Sequence, residues 1–122
     1  MLNGCLAVAL GGGLGAAGRY LLSLAPFPAG FPLATLLTNF LGAVAIGAIA
    51  ALAERSALPA SAVLFLKTGV CGGFTTFSTF SLEAMELLEK GRWAAGGGYV
   101  AASLALCLSG VLLGRALVRT LA

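Results

Sequence analysis

This chain has 122 residues, of which 60% are hydrophobic and only 9% are charged. A soluble domain carries about 25% charged residues, so this chain has too few charges to cover an apolar core with a wettable surface. Its mean hydropathy is +1.05, and the basic residues behind its net charge of +3 are spread singly. These figures exclude a soluble globular protein, a nucleic-acid-binding arm and a disordered segment, and they predict an integral membrane protein.

Charged and turn-forming residues divide the chain into four apolar stretches. A turn-like run at 25–30 separates the first two, a polar loop at 54–56 precedes the third, and a polar stretch at 83–92 precedes the fourth. Each stretch reaches the length of about 20 residues that a helix needs to cross the hydrocarbon. We therefore predict an all-α protein whose residues 1–122 form a single four-helix transmembrane domain. The approximate spans are 3–24, 32–53, 59–88 and 94–119.

Pairs of glycines four residues apart predict how these helices pack. Gly11 and Gly15 in the first span, and Gly110 and Gly114 in the fourth, have the spacing that lets two helix backbones approach closely. We expect the helices to bury these positions against each other or against a second subunit.

The basic residues give no clear orientation in the membrane. Three lie near each side, and Lys67 lies within the third span. Because an excess of lysine and arginine on one side normally fixes orientation, a chain without that excess can insert both ways and form an antiparallel dimer. The two groups are Arg55, Arg115 and Arg119 on one side, and Arg19, Lys90 and Arg92 on the other.

Few residues in this chain could support catalysis. It contains no histidine and no aspartate, and Glu54 is its first acidic residue. Cys5, Cys71 and Cys107 each lie alone in an apolar stretch, which argues against a zinc site or a disulfide framework. Neither an enzyme nor a metal cluster fits these residues, so function must depend on neutral polar groups inside the membrane.

The third span concentrates such groups. Residues 75–81 include five hydroxyl side chains, and Gly72 and Gly73 precede them. We expect the glycine pair to break the helix and to free backbone groups that lipid cannot satisfy. The run is either a packing surface with hydroxyls bonded back to the helix or the lining of a polar path.

Other membrane-embedded groups extend this pattern. Asn39 offers an amide in the second span, Phe77 and Phe80 share a helix face, and Tyr99 and Ser103 follow a ladder that ends at Cys107. Each has an ordinary packing interpretation, but together they are rich in donors, and aromatic ring edges are electropositive. Physical reasoning alone leaves a path for a small anion or for a neutral polar solute.

Three motifs resemble the Fluc (CrcB) family of fluoride channels. They are Gly-Arg-Tyr at 18–20, Thr-Asn-Phe-Leu-Gly at 38–42, and the run from Gly72 to Ser81. The resemblance implies a channel that exports fluoride passively from the cytoplasm across the inner membrane and so relieves fluoride toxicity. It also implies an antiparallel, dual-topology homodimer in membrane lipid, with the third helix broken near Gly72–Thr75.

The resemblance also implies roles for individual residues. Arg19 would lie near a vestibule, and Gly72 and Thr75 would hold a structural Na⁺ at the dimer centre through their backbone carbonyls. Cys107 departs from the family pattern, in which a hydroxyl often occupies this position, and a thiol is a weaker donor. The expected ion pathway comprises Asn39, Thr76, Phe77, Thr79, Phe80, Tyr99 and Ser103.

An alternative function is a four-helix, dual-topology exporter that resembles the small multidrug-resistance proteins. Such exporters are proton-coupled and need a carboxylate in the first helix. The first acidic residue here is Glu54, which argues against this alternative. A membrane assembly subunit without transport activity would fit the glycines but would leave the hydroxyl and aromatic run unexplained.

Overall fold

The structure is a computed structural model that describes residues 1–121, and these residues form four long apolar helical spans without a β-strand. The first two spans are helix α1 (Leu2–Ser23) and helix α2 (Leu33–Glu54). The third span covers Ala60–Glu89, and the fourth is Trp93–Leu121. The prediction of four helices long and apolar enough to span a membrane is confirmed, and the ends of the observed helices lie within two residues of the predicted ends.

The third span consists of two helical pieces. Its first piece, α3, covers residues 60–74 and contains a π-helical segment at Leu64–Cys71. Its second piece, α4, is Phe77–Glu89, and the fourth span is therefore helix α5 (Trp93–Leu121). A π-helix is wider than an α-helix and is rare beyond a single turn, and nothing in the apolar pattern of the sequence indicated it.

Glycines bring α1 and α3 into backbone contact. A Cβ atom added at Gly15 would lie 2.8 Å from the amide nitrogen of Phe74, and one at Gly11 would lie 3.0 Å from the Cα atom of Gly69. Real side chains do not fit at such distances from backbone atoms, so only glycine allows this approach. The close packing expected from the spacing of Gly11 and Gly15 is confirmed.

Helices α2 and α5 pack in the same way. A Cβ atom at Gly114 would lie 2.8 Å from the amide nitrogen of Ala48, and one at Gly110 would lie 3.1 Å from the Cβ atom of Ala43. Helix α4 then packs against α5 through a small apolar cluster. The buried members of that cluster are Phe80, Ala84, Leu87 and Tyr99.

The break in the third span lies just after the position expected from the glycines. Thr75 and Thr76 are extended: ψ of Thr75 is 157°, and φ of Thr76 is −151°. Gly72, in contrast, is helical, with φ of −62° and ψ of −38°. The break expected near Gly72–Thr75 is present, but its extended residues are the threonines. The glycine pair stays helical, because Gly73 serves close packing against Gly12 of α1. The threonines make the break, since the hydroxyl of Thr76 caps the first turn of α4.

Much of the apolar surface of these helices is exposed. In the most apolar window of each span, only 11% to 28% of the residues are buried within the chain. Leu10, Leu14 and Leu112 are each more than 60% exposed. Such a surface suits lipid or a second protein surface rather than water.

Candidate functional site

A groove of about 350 Å³ opens beside the break in the third span. Its walls come from α2, the end of α3, the beginning of α4, and α5, so all spans except the first contribute. The groove exists because α3 ends at Phe74 and the chain runs extended through Thr75 and Thr76 before α4 begins.

The groove contains most of the predicted pathway residues. Asn39, Thr76, Phe77, Phe80 and Ser103 all line it. Gly72 and Thr75, the residues expected to bind Na⁺, line it as well.

Three predicted site residues lie elsewhere. Thr79 is not among the residues that line the groove, and its backbone amide caps α4 by donating to the Thr76 hydroxyl at 3.1 Å. Tyr99 is fully buried behind Phe80. Arg19 lies on the α1 side of the break and contacts the end of α3.

Asn39 holds the extended residues of the break through two hydrogen bonds. Its Nδ2 donates to the carbonyl oxygen of Thr76 at 3.1 Å, and its Oδ1 accepts from the amide of Thr76 at 2.8 Å. The side-chain amide thus pairs with one peptide unit as a neighbouring strand would. Because Nδ2 carries two hydrogens, one N–H of Asn39 remains beyond this pair.

The break redirects the backbone donors that would satisfy α3 in a continuous helix. The amide of Thr76 would donate to the carbonyl of Gly72, but it donates to Asn39. The amide of Thr79 would donate to the carbonyl of Thr75, but it donates to the Thr76 hydroxyl. The Gly72 and Thr75 carbonyls therefore lose the donors that they would have in a continuous helix.

Arg19 supplies a substitute donor at the same break. Its Nε donates to the carbonyl oxygen of Gly73 at 3.2 Å, in the place that the amide of Phe77 would take in a continuous helix. The Cys71 carbonyl receives both the amide and the hydroxyl of Thr75, at 3.0 and 2.8 Å. Side chains of α1 and of the break itself therefore satisfy two carbonyls near the end of α3.

Aromatic rings continue from the groove into the core. The centroids of Phe77 and Phe80 are 5.5 Å apart, and those of Phe80 and Tyr99 are 5.1 Å apart. Phe77 is 76% exposed, whereas Phe80 is 8% exposed, so the pair leads from the open part of the groove inward.

Glu83 is a neighbour of the candidate site that the sequence pattern did not indicate. The hydroxyl of Tyr99 donates to Oε1 of Glu83 at 3.2 Å. Glu83 lies inside α4 and within the predicted third span, but no sequence pattern indicated its pairing with Tyr99. A second, more polar cavity of about 280 Å³ lies beyond it, lined by Glu83, Glu86, Lys90 and Arg92 among others.

Ser103 is a buried hydroxyl without a partner. It is 6% exposed, and among residues 1–121 its Oγ has no hydrogen-bond partner. Since a buried hydroxyl without a partner is costly, its position on the groove wall marks a place where a ligand or water would be stabilised.

The groove combines neutral donors with apolar walls. Its donors are the remaining N–H of Asn39 and the hydroxyls of Thr76 and Ser103, since the Thr75 hydroxyl already donates to the Cys71 carbonyl. The N-terminal end of α4, which carries the positive end of the helix dipole, also lies at the groove. Such a lining stabilises a small anion without the buried charge that would hold it permanently.

Comparison with known proteins places this chain among ion channels. The family described as CrcB-like protein, Camphor Resistance (CrcB), matches residues 6–115. The chain is 48% identical over 122 residues to the "Fluoride-specific ion channel FluC" of Methylobacterium sp., with 98% of each chain covered. It is 45% identical over 127 residues to a protein with the same name from Ruminiclostridium cellulolyticum, with 100% of this chain and 96% of that one covered.

A third relative agrees with these two. The "Fluoride-specific ion channel FluC 1" of Nitrobacter hamburgensis is 44% identical over 120 residues, which cover 95% of both chains. These relatives are named as ion channels, so the conclusion that this protein is not an enzyme is confirmed. The match over four helical spans and nearly the full length shows that the chain belongs to the CrcB (FluC) family.

Proposed function

We propose that this protein is a fluoride-specific ion channel that lets fluoride leave the cytoplasm passively and so relieves fluoride toxicity. The names of relatives that match nearly the whole chain support this function. The structural observation that carries it is the groove beside Thr75 and Thr76, which presents neutral donors and an aromatic pair in the middle of an apolar bundle. The proposed pathway is the one predicted from the sequence. Five of its residues line the groove, Tyr99 continues it behind Phe80, and Thr79 lies outside the groove lining.

Fluoride suits these groups because it is small and strongly hydrated. To enter the groove it must exchange water for close donors, and an amide N–H and hydroxyls supply short hydrogen bonds. The electropositive edges of Phe77 and Phe80 add favourable contacts where no hydroxyl is present. No carboxylate lines this groove among residues 1–121, so the lining does not repel an anion.

The proposed assembly is an antiparallel homodimer in the inner membrane, in which each subunit has the opposite orientation. Two observations support it. The basic residues are balanced between the two sides of the membrane, and the groove is an open apolar surface that a second copy would cover. Membrane lipid would cover the remaining exposed leucines.

Na⁺ at the dimer centre is a further part of this proposal. The Gly72 and Thr75 carbonyls have lost their helical donors and line the same groove. Carbonyl oxygens are suitable ligands for Na⁺, so the residues present fit the ion, which would be structural. Its test is complete replacement of Na⁺ by a large organic cation. We expect the dimer to lose stability, and full survival of stability and flux would contradict a structural ion.

The competing exporter proposal is not favoured. A proton-coupled exporter of the small multidrug-resistance type would need a carboxylate in its first helix, and α1 contains none. Arg19 is the charged residue within α1, and it is bonded to the Gly73 carbonyl. The relatives named as fluoride channels agree with this conclusion.

The cellular role is tested in a bacterium that lacks its own fluoride exporter. Cells that express this chain should grow at a fluoride concentration that stops cells with an empty vector. A matched strain that expresses Asn39→Ala should remain sensitive at equal protein level in the membrane. If wild-type protein accumulates in the membrane and gives no protection, the proposed export function is wrong.

A further inference from the structure

Cys107 places a thiol on the wall of the groove. It is half-buried in α5 and lines the groove together with Ser103. The two residues are four positions apart in one helix, so their side chains lie one turn apart on the same face. The sulfur of Cys107 and the hydroxyl oxygen of Ser103 therefore lie on the same side of the groove.

The hydroxyl of Ser103 is an independent sign that a ligand fits here. Its side chain is 6% exposed, lines the groove, and has no hydrogen-bond partner among residues 1–121. A water or an ion in the groove would satisfy it, whereas an empty apolar pocket would not. The thiol of Cys107 is therefore next to a polar atom that needs a partner.

We propose that Cys107 and Ser103 form a binding site for a soft monovalent metal ion, with Ag⁺ as the probe, and that its occupancy blocks the groove. Thiolate sulfur is the side-chain ligand that soft ions of the Cu(I) class select. On binding, the S–H bond of Cys107 breaks, an S–Ag bond forms, and the proton leaves to water. No electron is transferred, and Ser103 contributes a weaker oxygen contact.

Occupancy of this site would stop anion passage for two reasons. The metal fills part of a groove of only about 350 Å³. It also takes up the Ser103 oxygen, which is one of the few polar atoms of α5 in that groove. This blocking effect rests on the proposed channel function, but metal binding to the thiol does not.

The other cysteines serve as matched controls. Cys5 is exposed and lies on α1, away from the groove. Cys71 lines the groove from α3 but is only 4% exposed. A metal that acts through Cys107 should therefore act equally on chains that lack either of the other thiols.

The first measurement is fluoride release from liposomes that contain nitrate and fluoride salts, with and without AgNO₃. We expect silver to stop release by wild type, Cys5→Ser and Cys71→Ser, and excess dithiothreitol to restore it. Cys107→Ser should release fluoride at a rate that silver does not change. Equal block of Cys107→Ser and wild type would overturn the assignment.

The second measurement detects binding without relying on flux. The purified protein is treated with a maleimide with and without Ag⁺, and alkylation of each cysteine is measured by mass spectrometry. Silver should protect Cys107, and Ser103→Ala should weaken that protection. Unprotected Cys107 would overturn the site, even if wild type releases no fluoride and the channel function itself has failed. Protection without block would support the site and overturn the blocking effect.

Discussion

The two halves of the third span contact the rest of the chain in different ways. The first half, α3, contacts α1 through backbone atoms at glycines, and its π-helical segment lies at that contact. The second half, α4, contacts the rest of the chain through side chains, among them Phe80 and Leu87. Between them, two extended threonines expose backbone groups that a continuous helix would hide.

Because of this difference, substitutions in α3 should mainly change the stability of the fold, and substitutions at the groove should mainly change fluoride transport. Substitutions in the seam between α1 and α3 change how closely two backbones approach, and no small adjustment of a side chain relieves the clash. Substitutions at the groove change which donors and rings meet the ion while the helices remain packed. The two halves should therefore respond differently when unfolding and fluoride release are measured on the same variants.

The largest effect is expected in the glycine seam, at Gly15→Ala. The new Cβ would lie 2.8 Å from the Phe74 nitrogen, and such overpacking costs about 1–3 kcal/mol or more. Gly13→Ala is the matched control, since nothing lies within 4 Å of its Cβ position and alanine favours a helix by roughly 1 kcal/mol. Circular dichroism in detergent should show a lower unfolding midpoint for Gly15→Ala only. Equal midpoints would show that the seam is not tightly packed.

Asn39→Ala should affect both stability and transport, because Asn39 joins the break to α2. The change leaves the amide and carbonyl of Thr76 without their side-chain partner. Both bonds are only part-buried, so the cost is about 1 kcal/mol for each group. We expect fluoride release to be lost and the unfolding midpoint to fall. Asn3→Ala, an exposed site in α1, is the control and should change neither. Normal release by Asn39→Ala would remove Asn39 from the site.

Phe80→Ile should change transport more than stability. The change removes ring contacts with Phe77 and Tyr99, each worth about 0.5–1.5 kcal/mol, but keeps an apolar side chain. We expect a several-fold slower release of fluoride from a protein that still folds. Phe31→Ile also removes a ring contact with Tyr99 but lies outside the groove, so its release rate should stay normal. If both variants release fluoride equally well, the Phe80 ring does not line the path.

Tyr99→Phe should give the smallest effect. It removes one long hydrogen bond, at 3.2 Å, to the half-buried Glu83. Because water can reach this carboxylate, the bond is worth about 0.5–1 kcal/mol. We expect a modest fall in the unfolding midpoint, and a smaller one for Glu83→Gln, which keeps an acceptor for the Tyr99 hydroxyl. A larger loss for Glu83→Gln would mean that the carboxylate has a second partner.

The sequence predicted the large features because they depend on composition and spacing. Four apolar stretches of sufficient length indicate four helices, and glycines at Gly11 and Gly15 indicate close packing. The hydroxyl run pointed to the third span, where the break and its groove lie, since such residues are costly in lipid unless they meet partners. Asn39, Phe77 and Phe80 were predicted from the polar and aromatic pattern of their own helices.

The remaining features depend on contacts between distant residues. The break falls at Thr75 and Thr76 because Asn39, from another helix, satisfies the extended backbone. Sequence spacing suggested the nearby glycines instead, although α1 packs on Gly73 and keeps it helical. The pairing of Tyr99 with Glu83 was missed because a charge near a loop is usually solvated.

The most direct test of the central claim is fluoride release from liposomes that contain the purified protein, followed with a fluoride electrode in the absence of a proton gradient. Matched liposomes loaded with chloride provide the comparison. A neutral-donor path for a small anion predicts fluoride release far faster than chloride release. A fluoride trace identical to that of empty liposomes, or equal rates for the two anions, would contradict it.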